Sequence, residues 1–142
     1  GTGSLERELR QLVNSIPDQV TFLGFRQWDE LPDIYATADI LVAPSRYDGW
    51  GMIIPEGLAA GLPVIVSDQM GAAIDLVTPD ENGWIVKAGE LNSLTEALDA
   101  AAGLSENKLD AMSRQARLSV QNHGLAGGVR RFTEASLAML SD

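Results

Sequence analysis

Cysteine is absent from the 142 residues, and histidine occurs once, as His123. Without thiols there is no disulfide and no thiolate-held metal. One imidazole cannot supply a histidine-based zinc site. A reducing, cytoplasmic compartment is compatible with this usage. Positive charge is also scarce: ten Lys and Arg stand against twenty Asp and Glu, a net charge of −10. That balance argues against nucleic acid or an anionic membrane surface as a partner of this chain. It also demands local positive potential wherever an anionic ligand is to sit. No apolar run approaches a membrane span, and no stretch reads as a signal peptide. Internal repeats, low-complexity tracts and linkers are missing too. What is present is the make-up of an ordinary globular domain, with 45% apolar and 21% charged residues and enough length for one core.

The chain is organised around residues 45–64. The apolar run 39–44 leads in and reads as a buried strand. Gly49 and Gly51 permit a tight turn and a close approach of backbone to a ligand. A helix over 52–60 follows. Its start is fixed near Gly51 because Pro55 is tolerated only about the first turn. Gly61 is placed to end it, with Pro63 two residues on. Strand, glycine loop and helix N-terminus together aim free amide N–H groups and a positive helix end at one spot, which suits phosphate. Asp48 stands at the lip of that spot, and Glu56 about a turn inside the helix. Both carboxylates could face a polyhydroxylated ligand.

Elsewhere, Leu5, Leu9, Leu12, Val13 and Ile16 mark one face of a first helix, with Thr2 or Ser4 as cap. Gly1 and Gly3 at its start lack the third glycine of a dinucleotide fingerprint, so a tight turn is the preferred reading. A short strand at 20–23 ends at Gly24. Asp29 is expected to cap a helix carrying Leu31, Ile34, Tyr35 and Ala38. Further strands are expected at 63–67 and 84–86, with a short helix over 72–77 between them. Three helices close the chain. Leu91, Leu94, Leu98 and Ala101 mark the first. Leu109, Met112, Ala116 and Val120 mark the second, which Ser105 caps. Val129, Phe132, Ser136 and Met139 mark the third. Four strands alternating with helices predict an α/β fold with a parallel, doubly wound sheet. Ligands bind such sheets at the carboxyl ends of the strands. The loops carrying Gly24-Phe25-Arg26, Arg46 through Gly51, and Asp68 through Gly71 would then share one edge.

The stretch Asp48-Gly49-Trp50-Gly51, with Glu56 eight residues after Asp48 and Gly61-Leu62-Pro63-Val64 beyond it, resembles the signature of retaining glycosyltransferases of group 1, or family 4, which have the GT-B fold. Asp stands where that family usually has Glu, so its reach is shorter. The segments Val20-Thr21-Phe22-Leu23-Gly24, Leu31 through Asp39, and Asn82-Gly83-Trp84-Ile85-Val86 are similar to flanking motifs of the same family. The resemblance implies a Rossmann-like C-terminal, donor-binding half that lacks its first two strands. On that comparison residues 1–142 are an incomplete domain of a larger enzyme whose N-terminal acceptor domain is absent. Alone, it is expected not to transfer sugar.

By the same resemblance the substrate is a nucleotide-diphosphate sugar, with no metal and no other cofactor. Asp48 would be the catalytic-site acid, bonding sugar hydroxyls. Glu56 would hold the ribose hydroxyls. The amides of Gly49, Trp50 and Gly51 would face the sugar, and those of Met52 and Ile53 the diphosphate. Gly24, Phe25 and Arg26 would border the base. The implied activity is that of a hexosyltransferase in polysaccharide or glycolipid synthesis. The implied setting is cytoplasmic, with the parent a candidate for peripheral attachment at the inner membrane face. Alternatives stand beside several of these roles. Asp48 before Gly49 is also a common turn pair. Phe25 suits a core equally well, and Arg46 is as readily a solvated surface charge as a site cation. Trp28 and Trp84 read as packing residues, and His123 as a cap or surface residue at a helix break. At the level of function, a non-catalytic nucleotide-sugar-binding or regulatory module of the same fold is the second reading. A different GT-B enzyme, such as a nucleotide-sugar epimerase, is the third.

Overall fold

The computed structural model describes residues 2–140, and its contacts divide the chain into two units, Gly1–Ile34 and Tyr35–Asp142. The second unit is built on a three-stranded, all-parallel sheet in the order β1 (Leu41–Ala43), β2 (Val64–Ser67), β3 (Gly83–Val86). Val42 lies opposite Ile65, and Ile65 opposite Trp84. Each crossover is helical: α3 (Ile53–Ala60) links β1 to β2, and α4 (Gly71–Leu76) links β2 to β3. Then come α5 (Leu91–Ala102), α6 (Glu106–Val120) and α7 (Leu125–Met139).

Because successive strand side chains point to opposite faces, β2 feeds two cores at once. Val64 and Val66 join Ile54 and Leu58 of α3, Met70, Ala72, Ala73, Leu76 and Val77 around α4, and Ala116 and Val120 of α6. Ile65 points the other way, onto Val86 and onto Ala97 and Ala101 of α5. All four β2 residues are buried, as expected of a parallel strand covered on both faces. Two devices fix the ends of these elements. The helix α3 terminates at Gly61 in the left-handed region, φ +90°. There the Arg117 guanidinium of α6 donates to the Ala60 carbonyl at 3.2 Å, a cation at the negative end of the helix. Asn82, buried in the turn before β3, accepts from the Thr78 amide at 2.8 Å and donates to the Leu76 carbonyl at 2.9 Å.

The first unit has helix α1 (Glu6–Leu12) and single 3-10 turns at Val13–Ser15, Pro17–Gln19 and Trp28–Glu30. The chain leaves it through α2 (Leu31–Tyr35). Several expectations change. The N-cap of α1 is Leu5, and neither Thr2 nor Ser4 bonds the helix start. Residues 20–23 are not a strand, so the described residues contain three strands rather than four. Val20 does adopt extended dihedrals, φ −128° and ψ 120°, but no neighbouring strand supplies the ladder that would make the segment a sheet member. The helix expected to reach Ala38 ends at Tyr35. Asp29 is not its cap: Gln27 and Glu30 form a capping box, in which the Gln27 amide donates to Glu30 Oε2 at 2.7 Å. The Gln27-x-x-Glu30 spacing carried that signal. Ser105 does cap α6.

Candidate functional site

The loop between β1 and α3 lies over the carboxyl edge of the sheet and is clasped to the loop after β2. Asp48 donates its amide to Gln69 O at 3.0 Å, and its carbonyl accepts from Gly71 N at 3.4 Å. Ala72 N donates to Trp50 O at 2.8 Å, and the buried Ser67 hydroxyl donates to Ser45 O at 2.5 Å. Two of the three loops expected to share one sheet edge, 46–51 and 68–71, are thus joined by backbone bonds.

Glycine is required at two points of this clasp. Gly51 has φ +86°, and a Cβ there would also lie 2.7 Å from Met70 Cε. Gly71 has no unusual dihedral, but a Cβ on it would stand 2.5 Å from the Gly49 carbonyl oxygen. The clasp closes only because that side chain is missing.

Asp48 turns one carboxylate oxygen inward. Its Oδ1 accepts the Trp50 amide at 3.1 Å, the self-bonded turn that Asp before Gly favours. Trp50 therefore spends its N–H within the loop, and its ring stays 39% exposed. Among the described residues no acceptor takes the amides of Gly49, Gly51, Met52 or Ile53. The last two lead into α3, where four N–H groups lack helical partners by construction. Pro55 sits in the first turn of α3, with Glu56 directly after it.

Glu56 is partly buried and accepts the Tyr35 hydroxyl on Oε2 at 3.0 Å. Burial pushes the Tyr35 phenol up to about 12, and the Glu56 hydrogen bond and charge act in the same direction. This contact was invisible in the sequence, where the two residues stand 21 apart on separate helices. Arg46, exposed at the start of the loop, lines a cavity of about 200 Å³ with Pro44, Val86, Lys87, Glu90 and Leu94. Lys87 is paired there with Glu90 at 3.9 Å.

Gly24, Phe25 and Arg26 belong to the first unit. Gly24 has φ +69°, and Phe25 is 67% exposed rather than a core residue. The Arg26 guanidinium is occupied locally. It donates from Nε to Leu23 O at 3.0 Å and pairs through Nη1 with Glu30 Oε1 at 3.0 Å. The Glu30 carboxyl is held below its ordinary value by the Gln27 amide and then by Arg26. Among the described residues no helix is long and apolar enough to cross a membrane.

A strand, a glycine turn with unengaged amides, and a helix carrying an acid in its first turn make up the candidate site. The family model described as "Glycosyl transferases group 1" matches residues 1–119. The lipopolysaccharide core biosynthesis mannosyltransferase LpsB of Rhizobium meliloti is 34% identical over 109 residues, covering 74% of this chain and 29% of that protein. A GDP-mannose-dependent monoacylated alpha-(1-6)-phosphatidylinositol monomannoside mannosyltransferase of Corynebacterium glutamicum is 32% identical over 105 residues, 69% of this chain and 27% of its own length. Among solved structures, the sucrose-phosphate synthase of Thermosynechococcus elongatus superposes with a TM-score of 0.79 at 25% identity, over 99% of this chain and 36% of that one. The chain therefore spans between a quarter and two fifths of the proteins it matches. The fold is the Rossmann-like parallel α/β arrangement of GT-B transferases, and the chain belongs to the glycosyl transferases of group 1.

Proposed function

We propose that this chain is the donor-binding part of a longer, retaining glycosyltransferase that uses a nucleotide-diphosphate sugar. The observation that carries the reading is the turn between β1 and α3, with unengaged amides at Gly49, Gly51, Met52 and Ile53 between the acids Asp48 and Glu56. Amides at a helix start offer fixed donors to phosphate oxygens. Such donors stabilise the negative charge that grows on the diphosphate as its bond to the anomeric carbon breaks. Glu56, as a carboxylate, accepts from ribose hydroxyls. Asp48 keeps Oδ2 for a sugar hydroxyl while Oδ1 holds the turn. The Corynebacterium relative is by name GDP-mannose-dependent, which supports a nucleotide-diphosphate sugar as the ligand class. The reading needs no cofactor beyond the donor. It assigns acceptor binding to the remaining length of the longer protein and places the reaction at the cytoplasmic side.

One observation favours a second reading, a non-catalytic nucleotide-sugar-binding module. Asp48 already has a structural use in bonding Trp50, so its presence does not by itself require chemistry. Calorimetric titration of the chain with a panel of nucleotide-diphosphate sugars tests the donor reading. One donor is expected to bind, and Glu56→Ala to weaken it by roughly tenfold or more. A donor that binds both proteins equally overturns the assignment. Turnover by the full-length protein, abolished by Asp48→Ala with donor binding retained, separates the enzyme from the module.

A further inference from the structure

Glu56 is a three-torsion side chain on the first turn of α3, and nothing in its own helix holds its carboxylate still. A free glutamate loses rotamer freedom when a ligand fixes it, and that loss is subtracted from affinity. The structure supplies an external hold. Tyr35 ends α2, and its hydroxyl donates to Glu56 Oε2 at 3.0 Å in a partly buried contact. No other described side chain bonds that carboxylate, so Oε1 keeps both its acceptor sites.

We propose that Tyr35 is a positioning residue for ribose recognition: its hydroxyl pins one oxygen of Glu56 so that the other meets the vicinal diol of a bound nucleotide. The proposal rests on the donor-binding reading of Glu56 given above and adds to it a residue outside the Asp48–Glu56 stretch. A phenol is suited to the task. Its ring has only two torsions, so little freedom is lost in holding the bond. Its hydroxyl donates one proton and carries no charge to compete with the ligand. Because the Tyr35 phenol is raised to about 12, it remains a donor at every pH at which a nucleotide would be bound.

The test measures dissociation constants of ADP, GDP and UDP, and of their 2′,3′-dideoxy counterparts, for the chain and four variants: Tyr35→Phe, Glu56→Gln, the double variant, and Glu56→Asp. Tyr35→Phe keeps the ring and removes only the oxygen. For whichever base binds, it is expected to weaken the ribonucleotide about three- to tenfold and leave the dideoxynucleotide unchanged. On the Glu56→Gln background it should cost much less, because the oriented acceptor is already lost. Glu56→Asp retains the charge but withdraws it by one methylene from Tyr35. The same ribose-selective loss is expected there, which covers the case of a poorly folded Tyr35 variant. Equal losses for ribo- and dideoxynucleotides in Tyr35→Phe, or full additivity with Glu56→Gln, overturn the positioning role while sparing Glu56. A Glu56→Gln protein that still prefers ribose as strongly as the parent overturns the Glu56 reading itself. Failure of all three diphosphates to bind removes both.

Discussion

Residues 2–34 and the unit from Tyr35 onward contain similar apolar patterns and make opposite use of them. In the first, Leu5, Leu9, Leu12 and Ile16 recur at helical spacing, yet no described residue there is buried. What holds that unit is local. Arg10 pairs with Glu6 at 2.8 Å and lies 4.3 Å from the centre of the Phe22 ring, and the Gln27–Glu30 box bonds neighbours three residues apart. Exposed pairs of this kind contribute a few tenths of a kcal/mol each, or about 1 at best. In the second unit, Ile54, Leu58, Val64, Ile65 and Val66 are fully buried, each worth roughly 1.5–3 kcal/mol of apolar transfer. Periodicity shows which face wants cover; it does not supply the cover. β2 has helices on both sides, whereas α1 has no second apolar surface within its own unit.

The largest expected effect breaks this comparison directly. Leu58 is 0% exposed and Leu12 is 75% exposed, so the same Leu→Ala change should have unequal costs. In urea denaturation we expect Leu58→Ala to lose about 2–5 kcal/mol, through transfer and an unfilled cavity. Leu12→Ala should stay within about 0.5 kcal/mol. Comparable losses at both sites would mean that α1 is buried in solution, and the contrast between the units would fall.

Gly71→Ala should come next, and it sharpens the contrast by moving from core to clasp. Its Cβ would stand 2.5 Å from Gly49 O, and a backbone atom cannot step aside as a side-chain end can. We expect a cost of about 1–3 kcal/mol as the two loops separate, together with loss of nucleotide-diphosphate binding. Gly24→Ala is the companion change in the other unit: it has φ +69° but open space around its Cβ. There the penalty is strain alone, about 1–2 kcal/mol. Retained nucleotide binding in Gly71→Ala would show that the clasp does not shape the site.

How much could be read in advance follows from the same physics. The turn between β1 and α3 was legible because glycines, Pro55 and Gly61 act on their own backbone, and chain position alone locates such effects. Three of four strands were legible from their β-branched runs. The fourth, at 20–23, has the composition of a strand but no ladder partner, and pairing is a property of two segments. The Gln27–Glu30 box is legible in its spacing, but it competes with Asp29, the more frequent capping residue type. Tyr35 against Glu56 was not legible at all. Nothing local to either residue sets how α2 ends relative to α3, and Tyr35 reads equally well as one more residue of an apolar helix face. For Asp48 the sequence allows a ligand contact or a bond within its own turn; one of its oxygens makes the latter, which sequence alone could not apportion.

The smallest effects lie in pH, where each unit has its own limb. In the first, the Glu30 carboxyl is held below its ordinary value by the Gln27 amide and then by Arg26. Its stabilisation is complete above the ordinary carboxylate value and is lost as pH falls through the lowered one. In the second, the Tyr35 phenol is raised from 10.0 to about 12 by burial and by Glu56. The folded state favours the protonated form, so that stabilisation is complete below pH 10 and is lost as pH climbs towards 12. Solvent contact at Tyr35 screens the effect, so a difference measurement is needed. Urea denaturation of the parent and Tyr35→Phe should give curves that differ by a constant at neutral pH and converge between pH 10 and 12. Protection of the amides around residues 27–31, taken relative to their intrinsic exchange rate at each pH, should fall on acidification in the parent and be low at all pH in Glu30→Gln, with the Tyr35 unit unaffected. If Tyr35→Phe instead tracks the parent across the alkaline range, the hydroxyl is not bonded to Glu56 in solution. The hold on Glu56 would then be lost, and with it the clearest chemical distinction between the two units.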